Sequence, residues 1–550
     1  MSPATMDGTS TRTTAPAPRR TSRFSTGRLA SHTVRDTVPR REAMLHASAV
    51  LDPASVVAPV SRRTFGSFVE HMGRCVYTGI YEPDHPAADE DGFRTDVLAL
   101  TRELGVTMVR YPGGNFVSGY RWEDGIGPRD RRPRRRDLAW HSVETNQVGI
   151  DEFARWADKA DVEIMYAVNL GTRGVQEALD VHEYVNHPEG TTLSDLRRAN
   201  GAAKPYGITL WCLGNEMDGP WQLGHRTAHE YGLLAASTAR ALRSAEPGLE
   251  LVVCGSSGSG MPTFGAWEAT VLEHAYDLVD YVSCHAYYEE LDGDLGSFLA
   301  SAVDMDHFVD SIVATADSVG ARLRSKKKIN LSFDEWNVWY LSRFQGQEPP
   351  EGWDVAPRVI EDEYNVADAV VVGNLLISLL RHSDRVTAAC QAQLVNVIAP
   401  IRTEPGGPAW RQTIFHPFAK TAALARGDVL RTRLTSPTYD TPRYGEVPVV
   451  DAIATHDAES GDVVVFAVNR DQNAPLELTV DLHLFPEQLR PAETYTLTDT
   501  DLTATNTREA PDRVVLRPNE HVSIDGPTLK AVLPRVSWTA IRLTRAGEER

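Results

Sequence analysis

The chain has 550 residues, 42% of them hydrophobic, and a formal net charge of −19. That length is too great for one hydrophobic core and implies at least two domains. The acidic balance disfavours polyanionic partners such as nucleic acid, and no apolar stretch approaches the roughly 18–20 residues that span a membrane.

Residues 1–44 are rich in Ser, Thr, Pro and Arg and poor in large apolar side chains. Such a segment cannot bury enough surface to offset chain entropy, so a disordered tail is expected over 1–44. Arg19-Arg20 has no hydrophobic segment after it, which argues against an export signal there. A short strand-like run, "LHASAVLDP", follows within 45–62 and is expected to join a later β-sheet domain.

From Thr64 to Leu394, strand signals alternate with helical ones. The strand candidates are "TFGSFVE", "TMVRY", "EIMYAVNL", "ITLWCLG", "ELVVCG", "YVSCHAY", "INLSFDE" and "VTAACQAQL". Most are short, apolar on both faces and rich in β-branched residues, as buried parallel strands are. Amphipathic runs such as "GIDEFARWADKA" and "TAHEYGLLAASTARALRS" lie between them. Eight strands with intervening helices read as an α/β fold, a (β/α)8 TIM barrel over 63–425. A doubly wound sheet would carry a Gly-rich phosphate fingerprint after its first strand, and "FVEHMGR" is not one. From 426 to 550 short alternating strands replace the helices, and a C-terminal antiparallel β-sandwich is expected there.

A barrel builds its site where strands end at the C-terminal face. "ITLWCLGNE" ends on Asn215 and Glu216, and "INLSFDEWNVWY" ends on Asp334 and Glu335. If these are strands four and seven, Glu216 and Glu335 face each other across the mouth. Two opposed carboxylates are what glycoside cleavage requires: one protonates the leaving oxygen, the other attacks or activates water. Other strand ends deliver Glu70, Arg110, Asn115, His285, Tyr287 and Gln393, which can bond sugar hydroxyls. Trp140 and Trp339 offer faces on which a sugar can stack.

Two motifs point elsewhere. "RDRRPRRR" at 129–136 has the charge of a nucleic-acid patch but no interleaved aromatic residues, and reads as a solvated or subunit-contacting loop. "GSSGSG" at 255–260 lacks the Lys of a phosphate loop. No compelling metal-ligand spacing appears, and the two-carboxylate chemistry requires neither metal nor cofactor. The five cysteines are scattered, without a CxxC pair, which fits reduced thiols in the cytoplasm.

In order along the chain, "FVEHMGR", "RYPGGNFVSGY", "LAWHSVETNQ", "GNEMDGPWQ", "FDEWNVWY" and "QLVNVIAPI" resemble the signature segments of the α-L-arabinofuranosidases of glycoside hydrolase family 51. The resemblance covers roughly residues 45–550. It implies a TIM barrel with a jelly-roll type C-terminal β-sandwich and a retaining mechanism without cofactor. Glu216 matches the acid/base and Glu335 the nucleophile. Glu70, Arg110, Asn115, Asn215, His285, Tyr287 and Gln393 match positions lining the arabinose subsite or supporting the carboxylates, and Trp140 and Trp339 match nearby aromatic positions. The implied activity is exo-acting release of terminal α-L-arabinofuranose from arabinan, arabinoxylan or their oligosaccharides. The implied assembly is a homo-oligomer, a hexamer. Ala286 departs from the family's "HQYY", at a position expected to point away from the site. An endo-β-1,4-glucanase or xylanase on the same barrel, and a non-catalytic carbohydrate-binding protein, are the competing readings.

Overall fold

The computed structural model describes residues 44–345, 347 and 351–546. The tail expected over 1–44 lies, but for Met44, outside the described residues. Eight parallel strands close into a barrel: β1 Gly66–Phe68, β2 Met108–Tyr111, β3 Glu163–Ala167, β4 Leu210–Leu213, β5 Glu250–Val253, β6 Tyr281–Tyr288, β7 Asn330–Val338 and β8 Val386–Ala392. Each strand pairs with its sequence neighbours, and β8 closes on β1 through Cys390↔Gly66 to Ala392↔Phe68. The strands are almost wholly buried because helices cover the outside while side chains fill the inside. β4 and β7 are thus the fourth and seventh strands, which puts Glu216 and Glu335 at opposite sides of one mouth.

Two irregularities shape that mouth. The pairing of β6 with β7 shifts between Ser283 and His285, and that of β7 with β8 shifts between Phe333 and Trp336. Such bulges re-aim side chains at barrel rims. Ala286, between two mouth residues, is buried in the hydrophobic core.

The second structural layer is a pair of sheets. One has five strands: Arg433–Thr435, Leu45–Val50, Leu476–Asp481, Thr528–Leu533 and Val522–Asp525. The other has seven, from Val56–Pro59 through Asp428–Leu430, Val450–Asp457, Asp462–Asn469, Ser537–Arg545 and Leu489–Leu497 to Arg517–Pro518. Their facing sides share a core that includes Ala47, Leu478, Val480, Val463, Val465 and Ile541. The pairings are antiparallel except one: Leu45–Val50 runs parallel to Leu476–Asp481, a departure from the all-antiparallel expectation. The strand from the start of the chain fills the gap between two C-terminal strands and must take the direction that leaves.

The outer face of the seven-stranded sheet packs on the helix Val366–Arg381, whose residues 366–380 are all buried. This helix is apolar all round because it has barrel on one side and sheet on the other. Gly373 marks the closest approach: a Cβ there would lie 2.2 Å from Cδ1 of Trp538. Beside it, Asn374 donates to Asp451 at 2.8 Å and accepts from Arg470 at 2.6 Å, so the polar groups caught in this seam are paired.

Candidate active site

The turn after β4 carries Glu216 in the left-handed region, φ 42°, just after Gly214 at φ 95°. Backbone strain of this kind at a non-glycine residue persists where surrounding contacts over-determine it. Here they do. Glu216 Oε1 accepts from His285 Nδ1 at 2.9 Å, and Oε2 accepts from Trp221 Nε1 at 2.8 Å. Opposite, Glu335 Oε1 accepts from Arg110 Nη1 at 2.7 Å and Oε2 accepts from the Tyr287 hydroxyl at 2.7 Å. An oxygen of each carboxylate and a ring nitrogen of His285 lie within 4.8 Å of one another.

Arg110 reaches further, donating through Nη2 to Asn215 Oδ1 at 2.6 Å, and Asn215 in turn faces Asn115 at 3.3 Å. Glu70 forms the other edge. Its Oε1 accepts from the Phe116 backbone at 2.8 Å and from the Trp140 indole at 2.9 Å, and its Oε2 lies 3.4 Å from the Gln393 amide. Trp339 packs edge-on against Tyr287, with ring centroids 5.0 Å apart. Every site residue named from the sequence is therefore in one connected group. The glycines of "RYPGGN" make room for it: a Cβ on Gly114 would lie 3.1 Å from Glu335 Oε1 and 3.3 Å from Glu70 Oε2.

Two further residues belong here that sequence reasoning did not single out. Trp221 holds Glu216, as described. Asp334 is fully buried and accepts from His285 Nε2 at 2.9 Å. Strict alternation along a strand would turn Asp334 away from Glu335; the shift in β7 between Phe333 and Trp336 lets both face His285. The signals available in the sequence were the paired acids of "FDE" and the aromatic residue five positions after Glu216.

Burial pushes the Glu70 carboxyl up to about 8, and neighbouring Glu335 adds to the shift, outweighing the two N–H donors. Burial also pushes Glu335 up, while His285, Arg110 and Tyr287 pull the other way and favour its anion. For His285 burial disfavours the charge, but Glu335, Asp334 and Glu216 outweigh it and the ring is pushed up to about 10. Three carboxyls, Glu216, Asp334 and Glu335, surround Arg110 and His285. Glu216, His285 and Glu335 are the one donor cluster here with spacing for a metal ion. Both ring nitrogens of His285 face carboxylates at 2.9 Å, Glu216 through Nδ1 and Asp334 through Nε2.

Trp353 and Asp354, beyond β7, meet the segment that follows β2. Val143 donates to the Asp354 carbonyl at 2.8 Å, and His141 stacks on Trp353 with centroids 4.0 Å apart.

Comparison with known proteins agrees with this geometry. The α-L-arabinofuranosidase 1 domain model matches residues 100–302, and the α-L-arabinofuranosidase C-terminal domain model matches residues 334–537. An intracellular exo-α-(1→5)-L-arabinofuranosidase of Streptomyces lividans is 60% identical over 494 residues, spanning 90% of this chain and 74% of that one. An exo-α-(1→6)-L-arabinofuranosidase of Bifidobacterium longum is 58% identical over 508 residues, 90% of this chain and 96% of that one. The solved structure of a family 51 α-L-arabinofuranosidase from Bifidobacterium longum superposes with a TM-score of 0.87 at 52% identity, covering 91% of this chain and all of that one.

Proposed function

The chain belongs to the α-L-arabinofuranosidases of glycoside hydrolase family 51, and from that premise we infer that it is an exo-acting hydrolase releasing terminal α-L-arabinofuranosyl residues from arabinose-containing oligosaccharides. The observation that carries the chemistry is the separation of the two carboxylates, an oxygen of each lying within 4.8 Å of the other. Carboxyl groups about 5–5.5 Å apart leave no room for a water between the second carboxylate and the anomeric carbon, which is the retaining arrangement.

In this reading Glu335 is the nucleophile. Arg110 and Tyr287 each hold one of its oxygens and orient it. Attack at the anomeric carbon forms a glycosyl ester while Glu216 gives its proton to the leaving oxygen. Glu216 then takes a proton from water, and the hydroxide equivalent displaces Glu335. His285, between the two carboxylates, keeps a positive charge beside the developing and departing negative ones. Glu70, Asn115, Asn215 and Gln393 bond the sugar hydroxyls, and Trp140, Trp221 and Trp339 supply apolar faces.

That the curated relatives are named exo-acting arabinofuranosidases favours exo action. It argues against the endo-glucanase reading, and the supported carboxylate pair argues against a binding protein without activity. The five buried free thiols suit a reducing compartment, in line with a cytoplasmic enzyme trimming imported oligosaccharides. Assembly into a homo-oligomer, a hexamer by family resemblance, is part of the same proposal. The test is hydrolysis of 4-nitrophenyl α-L-arabinofuranoside beside the β-D-xyloside and β-D-glucoside, with α-(1→5)- and α-(1→6)-linked arabinosides to sort linkage. Turnover of the arabinofuranoside alone is expected; internal cleavage of xylan or glucan would overturn the reading.

A further inference from the structure

The basic run at 129–136 finds no use in the chemistry above, and the fold distributes its arginines unevenly. Arg129 lies over the Tyr81 ring, and both it and the buried Arg132 pair with Glu152. Arg135 pairs with Asp124 at 2.8 Å. Arg131, Arg134 and Arg136 are exposed with no carboxylate in ion-pair range among the described residues, and of these Arg136 lies over the Trp353 ring, 5.3 Å from its centroid. Arg121, also exposed, has no such carboxylate either. Arg121 and Arg136 line one groove of about 290 Å³, together with Phe116, Tyr120, Leu138 and Leu223.

Three of the groove's lining residues lead to the candidate site. The Phe116 backbone holds Glu70. Asp137, on the groove wall, accepts from the backbone of Trp140, whose indole also holds Glu70. Leu223 follows two residues after Trp221, which holds Glu216. The groove's carboxylates are occupied. Asp137 bonds the Ala139 and Trp140 backbone, and Glu144 is held by His71, Tyr77 and Asn146. Asp124 is taken by Arg135. The lining carries three arginines and three carboxylates, and Arg121 and Arg136 are the two of those arginines without a carboxylate in ion-pair range among the described residues, which leaves them able to meet a carboxylate from a ligand.

We propose that this groove receives the leaving side of the substrate and selects one that carries a carboxylate: an oligosaccharide with a uronic acid residue next to the arabinosylated sugar. A guanidinium matches a carboxylate bidentately, and the exposed apolar face of Leu138 suits the sugar ring that bears it. The inference rests on the arabinofuranosidase reading. It extends that reading from the released sugar to what the sugar is released from.

The experiment measures kcat/KM on an arabinofuranosyl oligosaccharide bearing a uronic acid and on its carboxyl-reduced counterpart, with 4-nitrophenyl α-L-arabinofuranoside as a third substrate. A preference of roughly 3–10-fold for the acid at low salt is expected, shrinking towards one at high salt. In Arg121→Gln/Arg136→Gln the ratio falls to about one, and the Lys substitutions restore part of it. Because the ratio is taken within each variant, a general loss of activity cancels. No turnover of the nitrophenyl substrate would defeat the functional reading itself. Turnover with a wild-type ratio of one, or a ratio unchanged in the double Gln variant, would overturn this inference alone. A ratio of one combined with a change of particle mass in the variant would assign the face to contact between copies of the chain.

Discussion

His285 donates through Nδ1 to Glu216 Oε1 at 2.9 Å, so one ring spans the gap between the two carboxylates that perform the proposed chemistry. Its pKa is raised from 6.5 to about 10. A cation held this way stabilises the fold fully below the unfolded value and ceases to as pH rises through the folded one. The melting temperature is therefore expected to fall as pH approaches 10. His285→Gln, which keeps a donor but no charge, loses that part of the profile and most of the activity. An unchanged alkaline limb in the variant, read by pH-dependent calorimetry, would contradict the assignment.

Glu70 titrates earlier. Its pKa is raised from 4.5 to about 8, so its contribution is present below 4.5 and is lost as pH rises through about 8. Glu70→Gln imitates the neutral form and keeps an acceptor for Phe116 and Trp140. The variant is expected to show a flatter melting profile between pH 5 and 9 than the parent protein, with weaker substrate binding. The same calorimetric series separates this effect from that of His285.

Glu335→Ala removes the group that forms the glycosyl ester. Turnover should drop by at least on the order of 10⁴-fold whatever the leaving group, as for other covalent nucleophiles. In the unmodified enzyme, proton NMR of the first product should show retained configuration. Initial appearance of the inverted anomer would mean a water, not Glu335, attacks the sugar.

Glu216→Ala separates the two carboxylates. On oligosaccharides, whose leaving groups are poor, a loss on the order of 10²–10⁴-fold is expected for a missing general acid. With a very acidic phenol, formation of the intermediate is nearly spared and its breakdown limits the rate. Azide needs no base, so it should restore turnover and give an arabinosyl azide of retained configuration. Equal losses on good and poor leaving groups, without rescue, would place the acid elsewhere.

Gly373→Val probes the seam between barrel and sheets. A side chain there meets Trp538, and overpacking of this kind costs about 1–3 kcal/mol. The midpoint of denaturant unfolding should fall while kcat per folded molecule at 25 °C stays near the parent value. A variant as stable as the parent would show that the helix Val366–Arg381 shifts without cost.

The barrel was readable because its strands announce themselves: "ITLWCLG" and "INLSFDE" are apolar on both faces and stop on acids, and the structure places them as β4 and β7. Helices were less uniform. Thr192–Ala199 carries too few apolar residues to be noticed, and Ala266–Ala275 has an apolar set with little sidedness. In the site, residues at strand ends were legible because the architecture fixes where those ends lie. Trp221 was not, since it sits in a Gly/Pro-rich loop whose course sequence periodicity does not describe. Asp334 was named at its strand end without a role, because its contact with His285 depends on the irregular pairing of β7, which sequence periodicity does not describe.

The strand Leu45–Val50 has a consequence for how the molecule is made. It lies between Arg433–Thr435 and Leu476–Asp481, and Ser48 is paired with Thr435 and Thr479. It leaves the ribosome before any barrel strand, yet its neighbours emerge roughly 390 residues later, about 20–80 s at ordinary elongation rates. Throughout that interval both its edges are unpaired beside a growing barrel. The five-stranded sheet can therefore be completed only when those later strands capture the first of the described ones.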